Sequence, residues 1–241
     1  MATHLLNELS VFLPCYNEEA NLQNTFNKII PIIKDIATKW EIIIVDDGSK
    51  DKTGSIASAL VKQYPQNVRL VSHHPNRGYG AAFKSGFYQA KYEWIVLIDG
   101  DGQFDFNEVS KLINAQKDSN SDLVIGYYLG RKVSFIRIWG TKIWQLAVYI
   151  LFGLKVRDID CGFKLVSKKV IESIPKLQAE RGPFITSEFL IKAKRFGFKI
   201  TEVGVHHYER QGGIATGAQL NVIFSGLMDL IRLWFKLNLS K

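Results

Sequence analysis

Two hydrophobic runs that end in acidic residues constrain the fold of this 241-residue chain more than any other feature. They lie at residues 42–47 and 94–101 and read IIIVDD and WIVLIDGD. Runs rich in β-branched residues are typical of strands buried on both faces of a parallel sheet. In an open parallel sheet, ligands bind beyond the carboxyl ends of the strands. Two strands that deliver acids to that edge predict a site for a divalent cation and a phosphorylated ligand.

Strand and helix patterns alternate along the first half of the chain. We expect strands at 10–13, 41–46, 68–71, 94–99 and 122–125 and helices at 18–39, 52–63 and 80–91, with a further helix opened by an acidic cap at 105–108. This alternation predicts an α/β fold with a doubly wound, mainly parallel sheet. The second half is less regular, with helices expected at 134–152, 186–196 and up to about 237, a strand at 199–203 and a glycine-rich loop at 210–217. No Pro/Gly/Ser linker divides the chain, so we expect one domain over residues 1–241.

Composition narrows the classes of partner. The net charge of +8 favours anionic partners, and no nucleic-acid-binding motif accompanies it. The two cysteines, Cys15 and Cys161, have neither a disulfide framework nor zinc-site spacing. We expect no secretory signal, and the longest uncharged apolar run, residues 143–154, is too short to cross a bilayer. We therefore expect a cytoplasmic protein that could still lie on a membrane surface.

The pair Asp99 and Asp101 is the strongest candidate for a metal site. Alternate residues of an extended segment point the same way, so both carboxylates can converge on one ion. Hard oxygen ligands suit Mg²⁺ or Mn²⁺, and Gln103 could add a carbonyl oxygen. Gly100 would let a ligand approach the backbone closely. The competing interpretation is an ordinary Asp/Gly turn.

Other strand ends offer groups for a nucleotide. The segment 14–18 lacks the G-x-G-x-x-G pattern, which argues against NAD or FAD. Tyr16 could stack on a base and Asn17 or Glu18 could hydrogen-bond to it, although Asn17 could simply start a helix. In Asp46-Asp47, one acid could cap the next helix while the other binds a base or ribose.

Two glycine-containing segments carry arginines that suit a diphosphate. The first, residues 76–80, places Arg77 and Gly78 just before a helix, where the N-terminus favours an anion. A plain glycine turn explains this segment equally well. The second, residues 210–217, begins with Arg210 and could close on a diphosphate.

Two helical segments in the second half combine aromatic and aliphatic residues with cations. They lie at 134–152 and at the C-terminus, up to about residue 237. Each alone could be a core-packing amphipathic helix. The presence of two favours contact with a membrane interface.

In order, four motifs resemble the family-two inverting glycosyltransferases of the GT-A fold. They are PCYNEE at 14–19, IVDDGSKDKT at 44–53, NRGYGAA at 76–82 and IDGDGQ at 98–103. Within that family the chain looks most like the dolichyl- or polyprenyl-phosphate mannose and glucose synthases, through DIDCGFK at 158–164 and TSEF at 186–189. The Q-x-x-R-W motif of processive polysaccharide synthases is missing.

The resemblance implies roles for particular residues. Residues 1–126 would form the nucleotide-sugar-binding half and 127–241 the acceptor-binding half. Nucleotide-sugar contacts are expected from Pro14, Tyr16, Asn17, Glu18, Val45, Asp47, Arg77, Gly78, Asp99, Gly100 and Arg210. Metal ligands are expected to be Asp99, Asp101 and Gln103. Candidates for the acceptor phosphate are Arg131, Arg137 and Lys164.

The expected activity is metal-dependent transfer of a hexose from GDP-mannose or UDP-glucose to a polyprenyl or dolichyl phosphate, with inversion at the anomeric carbon. Asp101 and Arg131 are the catalytic candidates for this reaction. A phosphate acceptor is already anionic, so it needs no strong base. If the acceptor were a sugar hydroxyl, a base would be required, and Asp160 and Glu188 are the candidates.

A rival from another class is a non-catalytic nucleotide-sugar-binding module at the membrane. Expected partners are the donor, the lipid phosphate and the cytoplasmic face of a membrane, with no nucleic acid. A homo-oligomer or a membrane-protein partner is left open.

Overall fold

A seven-stranded mixed sheet forms the centre of the protein. The computed structural model describes residues 4–130, 135–180, 182, 184–210 and 220–239. The strands are β1 (Leu6–Cys15), β2 (Ala37–Asp46), β3 (Val68–Ser72), β4 (Trp94–Leu97), β5 (Leu123–Leu129), β6 (Lys164–Ser167) and β7 (Ile200–His206). Their order across the sheet is β3-β2-β1-β4-β6-β5-β7.

Helices cover both faces of this sheet. They are α1 (Leu22–Ile36), α2 (Thr53–Gln63), α3 (Tyr79–Gln89), α4 (Val109–Ser119), α5 (Phe135–Phe152), α6 (Lys168–Ser173), α7 (Phe184–Arg195) and α8 (Leu220–Leu239). A 3-10 turn, Phe106–Glu108, precedes α4. The expected α/β class with a mainly parallel sheet is confirmed.

Most strands of the sheet run in the same direction. All pairings are parallel except those of β6, which runs antiparallel to both β4 and β5. The carboxyl ends of the other six strands therefore meet at one edge, together with the amino end of β6. The order of the first four strands reverses at β1, which is where open α/β sheets bind ligands.

Alternating side chains of the central strands bury both faces of the sheet. On β2, Ile42 and Ile44 belong to the core that includes residues of α1, α2 and α4, whereas Ile43 and Val45 belong to the core on the other face, with residues of α3, α6 and α7. This two-sided burial explains why the strand sequences are continuously apolar.

The observed fold differs from the sequence-based expectation in several element bounds and in one missed strand and helix. The first helix ends at Ile36, three residues earlier than predicted, because Ala37 already pairs with Leu6 of β1. Sheet pairing there overrides the helical pattern. The short β6 and the following α6 were missed, since a four-residue strand shows no periodicity of its own.

The helices α5 and α8 leave large apolar side chains exposed. On α5 these include Trp139, Ile143, Leu146, Tyr149 and Ile150, of which Ile150 is 70% exposed. On α8 they include Met228, Ile231 and Phe235. The two helices contact each other, and buried residues of both belong to one core. Across the described ranges, no helix is both long and apolar enough to span a bilayer.

Candidate active site

The candidate site lies at the edge where the strand ends converge. Glu18 follows β1, the Asp99–Gln103 segment follows β4, and Arg210 lies beyond β7. Gly162 lies in the loop just before the antiparallel strand β6 and is close to Asp99. Five chain segments, including α3 with Tyr79, thus contribute groups to one place.

Asp99 is held on several sides. The Tyr79 hydroxyl donates a hydrogen bond to its Oδ1 at 3.2 Å. A Cβ added to Gly162 would lie 2.0 Å from its Oδ2, so only glycine leaves room for the carboxylate. Burial and the nearby charge of Asp101 raise the pKa of Asp99 to about 7, against the opposing effect of Lys164. The effect of the Asp101 charge on Asp99 indicates that the two carboxylates lie close together, and a cation there would relieve their repulsion.

Asp101 faces the same site, with cationic and backbone partners. Its Oδ1 accepts a hydrogen bond from the backbone N–H of Gln103 at 3.1 Å, and Arg210 Nη1 lies 3.7 Å from its Oδ2. Burial raises the pKa of Asp101, while the Gln103 hydrogen bond and the Arg210 charge lower it. Arg210 also donates to Glu18, whose pKa burial raises. The guanidinium therefore bridges acids that follow two different strands.

Gln103 is tied to the segment that carries Arg210. Its Nε2 donates to the Tyr208 carbonyl at 2.8 Å, and the Tyr208 N–H donates to its backbone carbonyl at 2.8 Å. Gly100 packs so tightly that an added Cβ would lie 2.5 Å from Cys15 Sγ. These contacts fix the DGDGQ segment between β1 and β7.

Asp47 accepts hydrogen bonds from the loop that was predicted to bind an anion. The backbone N–H groups of Arg77 and Gly78 donate to its two oxygens at 3.0 and 2.7 Å, and Asn76 adds a side-chain donor at 2.8 Å. His73 Nδ1 lies 2.6 Å from Asp47 Oδ1. The anion bound by these backbone donors is therefore the Asp47 carboxylate, which shapes this loop. The Arg77 guanidinium pairs with Glu180.

Four other expected nucleotide contacts lie near the carboxyl ends of β1 and β2. Pro14 and Val45 are paired strand residues with buried side chains, so Val45 could offer a ligand only its backbone. Asn17 adopts a left-handed φ of 56° and braces the neighbouring loop by accepting from the Lys50 N–H at 2.8 Å. Tyr16 is half-buried beside it.

Lys164, an expected contact of the acceptor phosphate, lies in the interior of the protein. Its side chain is fully buried, and its ammonium group donates to the carbonyls of Ile159 and Cys161. Its positive charge instead lowers the pKa of Asp99. Sequence patterns gave no sign of this burial, which comes from the position of Lys164 at the start of a central strand.

Glu188 does not match the expected role of a base. It is buried, and its two oxygens accept backbone N–H groups of Gln178 and Ala179 and the Lys192 ammonium group. Asp160 is partly exposed and accepts a hydrogen bond from the Thr186 hydroxyl at 3.4 Å. Of the two base candidates, only Asp160 keeps a partly open position.

Two of the expected acceptor contacts fall where the structure makes no side-chain statement. Arg131 lies outside the described residues, as do residues 211–219 of the predicted glycine-rich loop. Arg137 lies on α5, but its side chain is outside the described part.

Sequence reasoning missed several residues that organise the site. Tyr79 stood within the NRGYGAA motif without an assigned role, although its hydroxyl reaches Asp99. Gly162, Glu180 and His73 were also missed, because their contacts join segments far apart in sequence. Only Gly162 gave a usable signal, as the glycine in DIDCGFK.

Comparison with known proteins places the chain in a family. Residues 10–174 match Glycosyl transferase family 2. The dolichyl-phosphate beta-glucosyltransferase of Dictyostelium discoideum is 31% identical over 95% of this chain and 74% of that protein. The undecaprenyl-phosphate 4-deoxy-4-formamido-L-arabinose transferase of Pseudomonas fluorescens is 28% identical over 96% of this chain and 66% of that protein.

A solved structure supports the same fold. Glucosyl-3-phosphoglycerate synthase from Mycobacterium tuberculosis, in complex with Mn²⁺, uridine diphosphate and glucosyl-3-phosphoglycerate, superposes with a TM-score of 0.70. It is 21% identical and covers 95% of this chain and 79% of that one. The expected GT-A fold is confirmed, and the family match with its named glycosyltransferase relatives supports an enzyme over the non-catalytic module. The chain belongs to glycosyl transferase family 2 and is a glycosyltransferase.

Proposed function

We propose that the protein transfers a hexose from a nucleotide sugar, GDP-mannose or UDP-glucose, to a polyprenyl or dolichyl phosphate with inversion at the anomeric carbon. The reaction depends on Mg²⁺ or Mn²⁺. The observation that carries the proposal is the partly buried pair Asp99 and Asp101 at the edge where the strands end, with Tyr79 bonded to Asp99 and Arg210 beside Asp101.

The donor set fits a divalent metal that binds with the substrate. Asp99 and Asp101 supply hard oxygens, and Gln103 lies next to them with an amide oxygen. In the described part of the chain, no group of three or more His, Cys, Asp or Glu side chains could hold a metal alone. Diphosphate oxygens and waters would complete the coordination, as is usual for Mg²⁺. A bound divalent cation would neutralise charge on the departing nucleoside diphosphate.

The protein groups around this pair have defined tasks in the transfer. Tyr79 and Gly162 hold the Asp99 carboxylate in place. Arg210 pairs with Glu18 and Asp101, and it would turn to the donor diphosphate when that more strongly charged anion arrives. Its charge then stabilises the leaving group as the bond from the anomeric carbon to the diphosphate oxygen breaks.

The acceptor is inferred from the chemistry of a phosphate and from the exposed helices. A phosphate oxygen is already anionic and can attack the anomeric carbon directly, so the commitment of Glu188 to backbone donors does not hinder transfer. The exposed apolar faces of α5 and α8 suit a lipid surface, with Arg232 among the cations beside them. We propose that the protein lies at the cytoplasmic face of a membrane, with Arg131 and Arg137 near the lipid phosphate.

The named relatives support this choice of acceptor. Two of them are transferases that act on dolichyl phosphate or undecaprenyl phosphate, and the M. tuberculosis enzyme was solved with Mn²⁺ and uridine diphosphate. We propose one domain, in which residues 1–126 bind the nucleotide sugar and residues 127–241 the acceptor.

A transferase that acts on a sugar hydroxyl is the second candidate. The partly exposed Asp160 favours it, because a carboxylate beside the site could serve as base. Such an enzyme should lose activity with Asp160→Asn, whereas a phosphate-directed enzyme should keep most of it.

A panel of donors and acceptors tests the proposal. GDP-mannose, UDP-glucose and UDP-N-acetylglucosamine would each be supplied, with the sugar radiolabelled, to undecaprenyl and dolichyl phosphate in detergent, with Mn²⁺ or EDTA. We expect organic-phase label with one hexose donor and Mn²⁺. Label that stays aqueous with every lipid phosphate would contradict the proposal.

A further inference from the structure

A short stretch without regular secondary structure, residues 176–180, contacts both α7 and α3 and is called the bridging segment. It follows α6 and lies just before residues outside the description. Side chains from both helices hold its backbone, and the proposed reaction gives them no chemical role. The inference below rests on the proposed function, because it concerns how the donor site is held in shape.

On the α7 side, a buried ion pair binds the bridging segment. Glu188 accepts the N–H groups of Gln178, at 2.9 Å, and Ala179, at 2.8 Å. Lys192 lies one turn later, 2.5 Å from the Glu188 carboxylate, and donates to the Lys176 carbonyl at 2.8 Å. Both side chains are at least 96% buried. A buried carboxylate with this many charge-assisted donors stabilises the structure that supplies them.

On the α3 side, the same segment lies against the start of the helix. Ala81 N–H donates to the Glu180 carbonyl at 3.0 Å, which satisfies a donor of the first helical turn. A Cβ on Gly80 would lie 2.8 Å from the carbonyl oxygens of both Ala179 and Glu180, so only glycine permits this approach. The Leu177 N–H donates to Tyr88 further along α3.

The start of α3 leads directly into the candidate site. The Glu180 carboxylate lies 3.1 Å from both the Arg77 guanidinium and the Lys84 ammonium group. Tyr79, the first residue of α3, donates to Asp99. Direct hydrogen bonds between packed elements therefore connect Glu188 to Asp99.

We propose that Glu188 is a positioning residue which, with Lys192, clamps the bridging segment onto the start of α3 and so fixes Arg77 and Tyr79 for the donor diphosphate. Glu188 exchanges no proton with the substrate. The sequence analysis offered Glu188 as a catalytic base. In this proposal Glu188 instead affects donor affinity, through its buried ion pair with Lys192.

Glu188→Gln tests this role, because the amide keeps one acceptor but loses the charge and points a donor at other donors. We expect amide hydrogen exchange in residues 177–180 and 79–82 to quicken by about tenfold or more, the effect of losing one charge-assisted hydrogen bond. We expect the dissociation constants of UDP or GDP with Mn²⁺, and the donor KM, to rise by a similar factor. The acid limb of the pH–rate profile should stay in place.

Two further variants keep the test decisive. Gly80→Ala pushes the bridging segment away from the α3 side without any change of charge, and should reproduce the faster exchange and weaker nucleotide binding. If Glu188→Gln does not fold, the Gly80→Ala variant alone tests the proposal. Glu172→Gln is the matched control, since Glu172 forms an exposed pair with Lys168 at the same helical spacing, and it should leave every readout unchanged.

Two results of these experiments would overturn the proposal. If Glu188→Gln strongly lowers turnover and its residual activity lacks the acid limb, while exchange and nucleotide affinity stay as in the wild type, Glu188 is a base and the proposal is overturned. Unchanged exchange and nucleotide affinity in Gly80→Ala would also overturn it. Hydrogen exchange and nucleotide binding can be measured without sugar transfer. A wild type that is inactive on every lipid phosphate would therefore contradict the proposed function, and the two measurements would still test the role of Glu188.

Discussion

Asp99→Asn should stabilise the metal-free protein at neutral pH, although it removes a group needed for the reaction. The pKa of Asp99 is raised from 3.8 to about 7 by burial and by Asp101. The folded state therefore holds this proton more tightly than the unfolded state. Stability from this group is fully present below about pH 4 and is lost as the pH rises toward 7. Asparagine has no charge to bury, so the variant escapes the loss.

The size of the effect follows from the shift. At 1.36 kcal/mol per pKa unit, the shift from 3.8 to about 7 corresponds to roughly 4 kcal/mol. We expect the stability advantage of Asp99→Asn over the wild type to be about 2–3 kcal/mol larger near pH 7.5 than near pH 5. Comparison of the two proteins at each pH cancels titrations that they share.

Urea unfolding with EDTA, at both pH values, measures this difference. Saturating Mn²⁺ provides the second arm, because a ligand that binds only the folded state adds stability. The wild type should gain stability with Mn²⁺ and the variant should not. A free-energy difference that is the same at both pH values, or a variant less stable than the wild type near pH 7.5, would refute the reasoning.

Three further substitutions test separate parts of the structure. Gly162→Ala places a Cβ 2.0 Å from a carboxylate oxygen of Asp99 and should abolish metal-dependent turnover. The circular dichroism spectrum should stay native, and turnover at the wild-type rate would contradict the packing described. Gly86→Ala places a Cβ 2.1 Å from a buried phenylalanine ring and should cost about 1–3 kcal/mol in urea unfolding, whereas Gly140→Ala, with nothing within 4 Å, should be neutral or stabilising. Ile150→Glu, at a 70% exposed position, should reduce flotation with anionic lipid vesicles without a change in thermal melting, and unchanged flotation would argue against α5 as a membrane contact.

Local sequence patterns were sufficient for features that belong to one segment. The strand that ends in Asp99 and Asp101 could be predicted because burial on both faces leaves an uninterrupted apolar run, and its acids could then be placed at the edge where ligands bind. Glu18 and Arg210 follow other strands of the same direction, and they do meet near this pair.

Features that depend on distant packing could not be predicted. The D-D-G-S motif does not show that Asp47 accepts backbone donors from residues 77 and 78. Glu188 looked like a base because an acid near an acceptor region is chemically suitable, yet its oxygens bind the backbone about ten residues earlier. Lys164 looked like a phosphate ligand until the antiparallel insertion of β6 placed it in the interior. In each case the packed structure, which no local pattern shows, determines what the side chain contacts.

Turnover of the wild type and of Asp101→Ala, measured across a Mn²⁺ titration with the preferred donor and lipid phosphate, tests the central claim most directly. We predict that wild-type transfer rises with Mn²⁺ and is abolished by EDTA, that the lipid-linked product has the anomeric configuration opposite to that of the donor, and that the variant loses at least about a hundredfold in rate, in line with removal of a key electrostatic group. Metal-dependent turnover that is unchanged in Asp101→Ala would contradict the account.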